Sequence, residues 1–281
     1  MADIYFLNGR LLEADSCLIS VRDRSFLLGD GLFETILVHK GKPVFLREHL
    51  ERLSLSSDFC GYKLPATEFL SAAVMEVITA NRLEDGSLRL NVSPSESNGL
   101  LAAEDSPLNI VITCRRGLPY SQELYKEGFF AIVAKSTRRN HLSPLSRHKT
   151  TNFLDSILAR KEAFDHGADE ALLLNTSGFL AEGSVSNLFL IIGKEAFTPP
   201  ISDGALPGII RAKVKEICAE LNIPLHEVSL PAEALEKADE AFLTSSLLGI
   251  MPLNKVENRI LPKREVTRFF IEKYEKTLSS C

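Results

Sequence analysis

Apolar and polar positions along this chain fall into two rhythms. Short apolar runs bounded by turn residues predict strands, and apolar residues at three- and four-residue spacing predict helices. Residues 4–7 and 10–12 flank Asn8-Gly9, a pair suited to the type I′ turn of a β-hairpin. A strand over 31–38, a turn at Lys40-Gly41-Lys42 and a strand over 43–46 make a second pair. A helix follows over 47–57, with Leu50, Leu53 and Leu55 toward its inner side. A further helix runs from Thr67, as its cap, to Asn81, with Phe69, Leu70, Ala73, Val74, Val77 and Ile78 as its apolar stripe. Strands over 87–92 and 108–113 bracket a polar loop over 93–106.

Later segments read the same way. A strand is expected over 129–135, a helix over 153–165 with Phe153, Leu154, Ile157, Leu158 and Phe164 apolar, and strands over 170–174, from Phe179, and over 188–192. A helix is expected over about 208–221, strands over 225–228 and 238–244, and a closing helix over 265–277. Gly117, Pro119 and Gly128 punctuate a charged stretch. The expected organisation is a small α+β domain over 1–115, a linker over 116–128 and a larger α/β domain over 129–281.

Composition narrows the class. With 45% apolar and 25% charged residues the chain is ordinary for a globular protein. A net charge of −5 argues against nucleic acid as a partner. One basic cluster, Arg138-Arg139 with Arg147-His148-Lys149, suggests a place for an anion. The five cysteines are scattered, without a CxxC pair, so neither a disulfide framework nor a zinc site is expected. No apolar run approaches the ~18 residues of a membrane span, and the first residues lack the pattern of a signal peptide, so a soluble cytoplasmic protein is expected.

Candidate chemistry concentrates between Ser146 and Ile192. Lys149 is followed by Thr150-Thr151-Asn152, and Glu182 by Gly183-Ser184-Val185-Ser186-Asn187. Further on, Leu206-Pro207-Gly208-Ile209-Ile210-Arg211 opens a helix with proline and glycine at its first turn. Free backbone N–H groups and the positive dipole end make such a start an anion site.

The pair of motifs HKTTN and EGSVSN resembles the class IV aminotransferase superfamily, the fold-type IV pyridoxal 5′-phosphate (PLP) enzymes. That resemblance implies a two-domain α+β, mixed α/β fold with the active site between the domains. It implies PLP as cofactor, with Lys149 carrying it as a Schiff base and Glu182 facing the pyridine nitrogen. It also implies a phosphate site at Gly208, Ile209 and Ile210, completed by Arg52 in REHLERL and by Ser245 and Ser246 in LTSSLLGIMPL; Ile210 stands where the family often has a hydroxyl residue. The Gly29-Asp30-Gly31 turn is similar to one that leads into a substrate-side strand, and Arg89 is a candidate for the substrate carboxylate. A homodimer acting on a small molecule is implied, with no metal.

Within the superfamily the pattern is closest to the 4-amino-4-deoxychorismate lyases, which release pyruvate and form 4-aminobenzoate for folate synthesis. The GDGLFETILV and SSLLGIMPL segments and Phe153, where branched-chain enzymes tend to carry a tyrosine, point that way. The alternative is an aminotransferase of branched-chain or D-amino acids, and a remote one is a PLP-binding protein without turnover. The same cofactor residues serve both reactions, so they do not choose between them.

Overall fold

The computed structural model describes residues 2–96, 99–103 and 105–280. Ser97, Asn98 and Glu104, in the expected polar loop, lie outside the described residues, as do Met1 and Cys281. The described residues divide into two units, residues 2–119 with Lys149–Asn152, and residues 120–148 with 153–280. The lysine motif, expected with the larger half, thus belongs to the first unit, although the residues on both sides of it belong to the second.

The first unit is built on a six-stranded antiparallel sheet. Its strands are β1 (Ile4–Leu7), β2 (Arg10–Glu13), β3 (Leu32–His39), β4 (Lys42–Pro43), β5 (Gly86–Pro94) and β6 (Leu108–Arg116), in the order β2-β1-β6-β5-β3-β4. The first hairpin turns as its sequence predicts, with Asn8 and Gly9 both at positive φ. Helices α1 (Arg24–Leu28), α2 (Leu46–Cys60) and α3 (Thr67–Asn81) complete the unit. Leu32, Ile36 and Val38 on one face of β3 pack with Leu50 and Leu53 of α2 and with Leu70, Val74, Val77 and Ile78 of α3.

Local expectations change at four places here. The strand over 43–46 stops at Pro43, because Phe45 turns left-handed and Leu46 begins α2. Leu55 is exposed, since its place five residues beyond Leu50 turns it off the inner face, where Ser56 and Ser57 are buried instead. Thr67 is the first helical residue rather than the cap; Ala66 holds the cap position. Phe69, on the flank of the buried stripe, is exposed.

The second unit carries a mixed sheet whose strands run from β7 (Phe129–Val133), β8 (Glu170–Leu174), β9 (Phe179–Gly183) and β10 (Asn187–Ile192) to β11 (Glu195–Thr198), β12 (Leu225–Glu227) and β13 (Leu230–Pro231). It ends with β14 (Glu240–Ser245), β15 (Gly249–Val256) and β16 (Arg259–Ile260). The order is β12-β11-β10-β14-β15-β7-β8-β9-β13, with β16 on β15. Helices α4 (Gln122–Glu127), α5 (Leu154–Asp165), α6 (Ile209–Glu220), α7 (Ala234–Lys237) and α8 (Glu265–Ser280) accompany it. The expected linker over 116–128 therefore contains the end of β6 and all of α4. β11 and β15 are strands that the pattern alone does not separate from neighbouring loops.

Helix α5 reverses its expected polarity. Leu154, Ile157, Leu158 and Phe164 are exposed, and Ser156, Ala159 and Ala163 are buried. Small residues line the face against β8 because Ala159 and Ala163 pack with Ile132, Ala134, Ala171 and Leu173 at short range. No helix among the described residues is long and apolar enough to cross a membrane.

Candidate active site

Within the first unit, the lysine motif is bound to the start of β3 as a short added strand. Thr150 pairs with Leu32, the Phe33 N–H donates to the Lys149 carbonyl at 2.9 Å, and the Thr151 N–H donates to the Gly31 carbonyl at 2.9 Å. Side chains complete the attachment: the Thr151 hydroxyl and the Asn152 amide donate to the Gly29 carbonyl at 2.8 and 2.9 Å. The polar Thr-Thr-Asn run is thus a set of backbone fasteners. The glycines of the Gly29-Asp30-Gly31 turn are required by this approach. A Cβ on Gly29, which has a positive φ, would lie 2.6 Å from the Asn152 Oδ1. One on Gly31 would lie 2.8 Å from Ser25.

This attachment sets the Lys149 Nζ 4.5 Å from the centre of the Phe33 ring. The Arg89 guanidinium carbon lies 3.7 Å from the same centre. Arg89 stands on β5 opposite Thr35, and its Nε–H donates to the Asn91 Oδ1 at 3.1 Å. One aromatic ring therefore carries two cations.

Glu34, the next residue of β3, points to the opposite face of the strand. Its carboxylate accepts from the Arg52 Nε–H at 2.8 Å, from the Arg52 Nη2–H at 2.6 Å and from the His49 Nδ1–H at 2.6 Å. Burial works to raise the Glu34 pKa, but the Arg52 charge and the hydrogen bonds from His49 and Arg52 outweigh it and hold the carboxyl at about 2. His49 is pushed below the usual imidazole range, by burial first and by the charges of Arg52 and Lys149, against the pull of Glu34. Neither Glu34 nor His49 stands out in the sequence. A buried carboxylate has no one-dimensional signal, although His49 and Arg52 sit three residues apart on one helix face.

In the second unit, Glu182 lies near the end of β9 opposite Leu173 and is buried. One carboxylate oxygen accepts from the Leu206 N–H at 2.8 Å; the other is 3.0 Å from the Arg139 Nε. Arg139 also donates to the Gly204 and Ser146 carbonyls, and Arg138 donates to the carbonyls of Ala134 and Thr137. Of the basic cluster, Arg138 and Arg139 are thus engaged in internal bonds, with Arg139 partnering Glu182.

The turn after Glu182 is tied down from below. Glu170, fully buried on β8, accepts from the Ser184 hydroxyl, from the Ser186 hydroxyl at 3.0 Å and from the Ser184 N–H at 3.2 Å, and it pairs with Arg160 at 3.1 Å. Gly183 is obligatory because a Cβ there would lie 2.2 Å from the Ser186 Oγ. Asn187 then reaches the α6 segment, its amide donating to the Leu206 carbonyl at 2.9 Å. The EGSVSN motif thus grips both sides of Leu206: Glu182 takes its N–H and Asn187 its carbonyl.

Gly208 caps α6 without any side-chain cap bond, and Ile209 and Ile210 are buried at its first turn. A Cβ on Gly208 would fall 1.9 Å from the Asn187 Oδ1, so the backbone passes that side chain as closely as glycine allows. Ser245 ends β14, and its hydroxyl accepts from the Leu248 N–H at 3.3 Å in the tight connection to β15; Ser246 follows it, half-buried. The Thr244 hydroxyl beside them is buried without a partner among the described residues. An amine, a carboxylate held by backbone and guanidinium, and a glycine-opened helix start without a side-chain cap are the donor set a phosphorylated pyridine aldehyde requires. These residues fit PLP.

Fold and residues together define a fold-type IV PLP enzyme. The chain belongs to the class IV aminotransferase family, whose profile it matches over residues 31–256. It is similar to the aminodeoxychorismate lyase of Bacillus subtilis, 32% identical over 257 residues that cover 90% of this chain and 86% of that one. It is also similar to the branched-chain aminotransferase of Thermoproteus uzoniensis solved with norvaline, at 32% identity and a TM-score of 0.91 over 99% of this chain and 96% of that one. A third relative is the T.th. branched-chain amino acid aminotransferase solved with pyridoxamine 5′-phosphate, at 25% identity and a TM-score of 0.90 over 100% and 94% of the two chains. The cofactor is pyridoxal phosphate.

Proposed function

We propose that this enzyme is a 4-amino-4-deoxychorismate lyase, which supplies 4-aminobenzoate for folate synthesis. The observation that carries the reading is the pairing of Arg89 with Lys149 on the Phe33 ring. Their distances from its centre keep the two cations within about 8 Å of each other, so a substrate held by its carboxylate at Arg89 can offer its amine-bearing carbon to Lys149. A chorismate-derived substrate has a carboxylate remote from that carbon. Phe153, at the cap of α5, presents no hydroxyl, in keeping with the lyase pattern rather than the branched-chain one.

In this reading Lys149 would hold the cofactor, Glu182 would accept from its ring nitrogen, and Arg52, Gly208, Ile209, Ile210, Ser245 and Ser246 would be the residues that bind its phosphate. When bound, PLP supplies an electron sink for the carbanion at the substrate carbon. The Lys149 amine takes the proton from the amine-bearing ring carbon. The carbon–oxygen bond to the enolpyruvyl group then breaks, the oxygen leaves with its electron pair, and the departing fragment takes up a proton to become pyruvate. The remaining ring is aromatic 4-aminobenzoate. Glu182 keeps its place throughout through the Leu206 N–H and Arg139.

We infer further that the enzyme is a cytoplasmic homodimer. Exposed Leu18, Val21, Phe26 and Leu27 surround α1, an apolar patch of the kind that marks an interface. Arg24 ties exposed Leu100 to the same helix by bonds to the Gly99 and Leu100 carbonyls. Sedimentation equilibrium should then give twice the chain mass; a monomer mass would refute it.

The activity is tested with the PLP-loaded protein. Aminodeoxychorismate should yield pyruvate, followed by lactate dehydrogenase coupling, together with fluorescent 4-aminobenzoate in equal amounts. Conversion of the cofactor's visible band by L-glutamate or D-alanine, without pyruvate from aminodeoxychorismate, would make it an aminotransferase. The likeness to the Thermoproteus uzoniensis enzyme is what keeps that second reading in play.

A further inference from the structure

The cluster beneath β3 has a part that the reaction itself does not account for. Glu34 is 1% exposed. A carboxylate so buried is costly unless its oxygens are bonded, and its two oxygens accept three N–H groups. Two of the three come from one edge of the Arg52 guanidinium. A bidentate contact of this kind sets both the position and the plane of the guanidinium. Arginine has five N–H donors, so three others lie on the remaining edges of the same plane, and their directions are set by the contact with Glu34. His49, one turn before Arg52 on α2 and 1% exposed, bonds the carboxylate from a second direction and stops it from rotating.

We infer that Glu34, steadied by His49, is a positioning residue that orders Arg52 for the phosphate of the cofactor. The inference rests on the reading of Arg52 as a phosphate ligand. It has a definite sign. Glu34 brings a negative charge to within hydrogen-bonding distance of Arg52, so on electrostatics alone its removal would tighten the binding of a phosphate dianion. Ordering predicts the reverse, because an unheld arginine loses its rotamer freedom only when the phosphate arrives.

The experiment compares binding of PLP with that of pyridoxal, which lacks the phosphate, by equilibrium titration of the apo-enzyme. Glu34→Gln keeps the shape of the side chain but turns an amide toward the donors of Arg52 and His49. It should weaken PLP binding about tenfold and leave pyridoxal binding within about twofold of the parent. Arg52→Ala should do the same, and the double variant should be no worse than Arg52→Ala alone, since the two act through one contact. His49→Gln, a milder change, should lose part of the thermal stabilisation that inorganic phosphate gives the apo-enzyme. That reading stands even where Glu34→Gln fails to fold.

Unchanged or tighter PLP binding by Glu34→Gln, with Arg52→Ala weakened, would overturn the positioning role and leave Arg52 as a ligand. Equal losses for PLP and pyridoxal in Glu34→Gln would reduce Glu34 to a structural residue. An Arg52→Ala change that weakens PLP and pyridoxal by the same factor, or weakens neither, would overturn the phosphate assignment itself.

Discussion

A single methyl group at Gly208 tests how closely the EGSVSN motif and the α6 start are fitted. The backbone there is extended, with φ -72 and ψ 140. Alanine adopts that conformation freely, so a Gly208→Ala change carries no conformational strain. Its whole cost is contact. The added carbon would sit 1.9 Å from the Asn187 Oδ1 and 3.3 Å from the Arg211 Cβ. Asn187 cannot swing aside freely, because it is buried, its backbone is paired with Thr244, and its amide holds the Leu206 carbonyl at 2.9 Å. Breaking that bond leaves buried polar groups unsatisfied, and shifting α6 instead overpacks the joint; either route costs about 2 kcal/mol. For a unit of this size that corresponds to roughly 4–8 °C in Tm. Thermal unfolding of the apo-protein measures it. The control is Asn187→Ala, which removes the obstructing oxygen. Adding Gly208→Ala to that background should cost nothing further, a coupling as large as the single effect. A Gly208→Ala protein that unfolds with the parent, or strictly additive losses in the double variant, would refute the reasoning.

Other outcomes follow from the same geometry. Lys149→Ala should abolish both the cofactor's visible band and pyruvate release while the circular dichroism of the fold is retained, since the motif is fastened through its backbone and through Thr151 and Asn152. Glu170→Ala should destabilise the second unit by about 1–3 kcal/mol, because it takes the buried acceptor away from the Ser184 and Ser186 hydroxyls and the Ser184 N–H. Glu170→Gln should cost less, and equal Tm values for parent and alanine variant would sink the claim. Acid should weaken the first unit. The Glu34 carboxyl, at about 2 when folded against ~4.3 unfolded, contributes about 3 kcal/mol above pH ~4.5 that disappears as pH falls toward 2. His49, whose pKa is lowered by folding, adds a loss in the same direction as pH falls below ~6.5. Thermal unfolding between pH 7 and 3 should therefore fall more steeply for the parent than for Glu34→Gln, and parallel curves would contradict it.

Much of this arrangement is legible in one dimension. The Asn8-Gly9 hairpin, the 170–174 strand and the proline-glycine start of α6 are local events, in which turn chemistry and apolar spacing act over a few residues. The Lys149 and Glu182 motifs are readable for a different reason: their residue strings are distinctive. The departures have a common cause. Leu55, Phe69 and the apolar residues of α5 are exposed because hydrophobic spacing states that a helix has an apolar face, not that this face meets the core. The 116–128 stretch reads as a linker because its glycines and proline punctuate it, yet α4 forms between them.

What the sequence by itself determined was an inventory: most of the elements, a lysine and a glutamate in distinctive strings, and a proline-glycine helix start. What only the tertiary structure decided was partnership. Glu34 with Arg52 and His49, Glu170 with Ser184 and Ser186, and Arg139 with Glu182 join residues 14 or more positions apart. Such pairings leave no periodic trace, because burial makes an unpaired charge so costly that the fold, not the local chain, selects the partner.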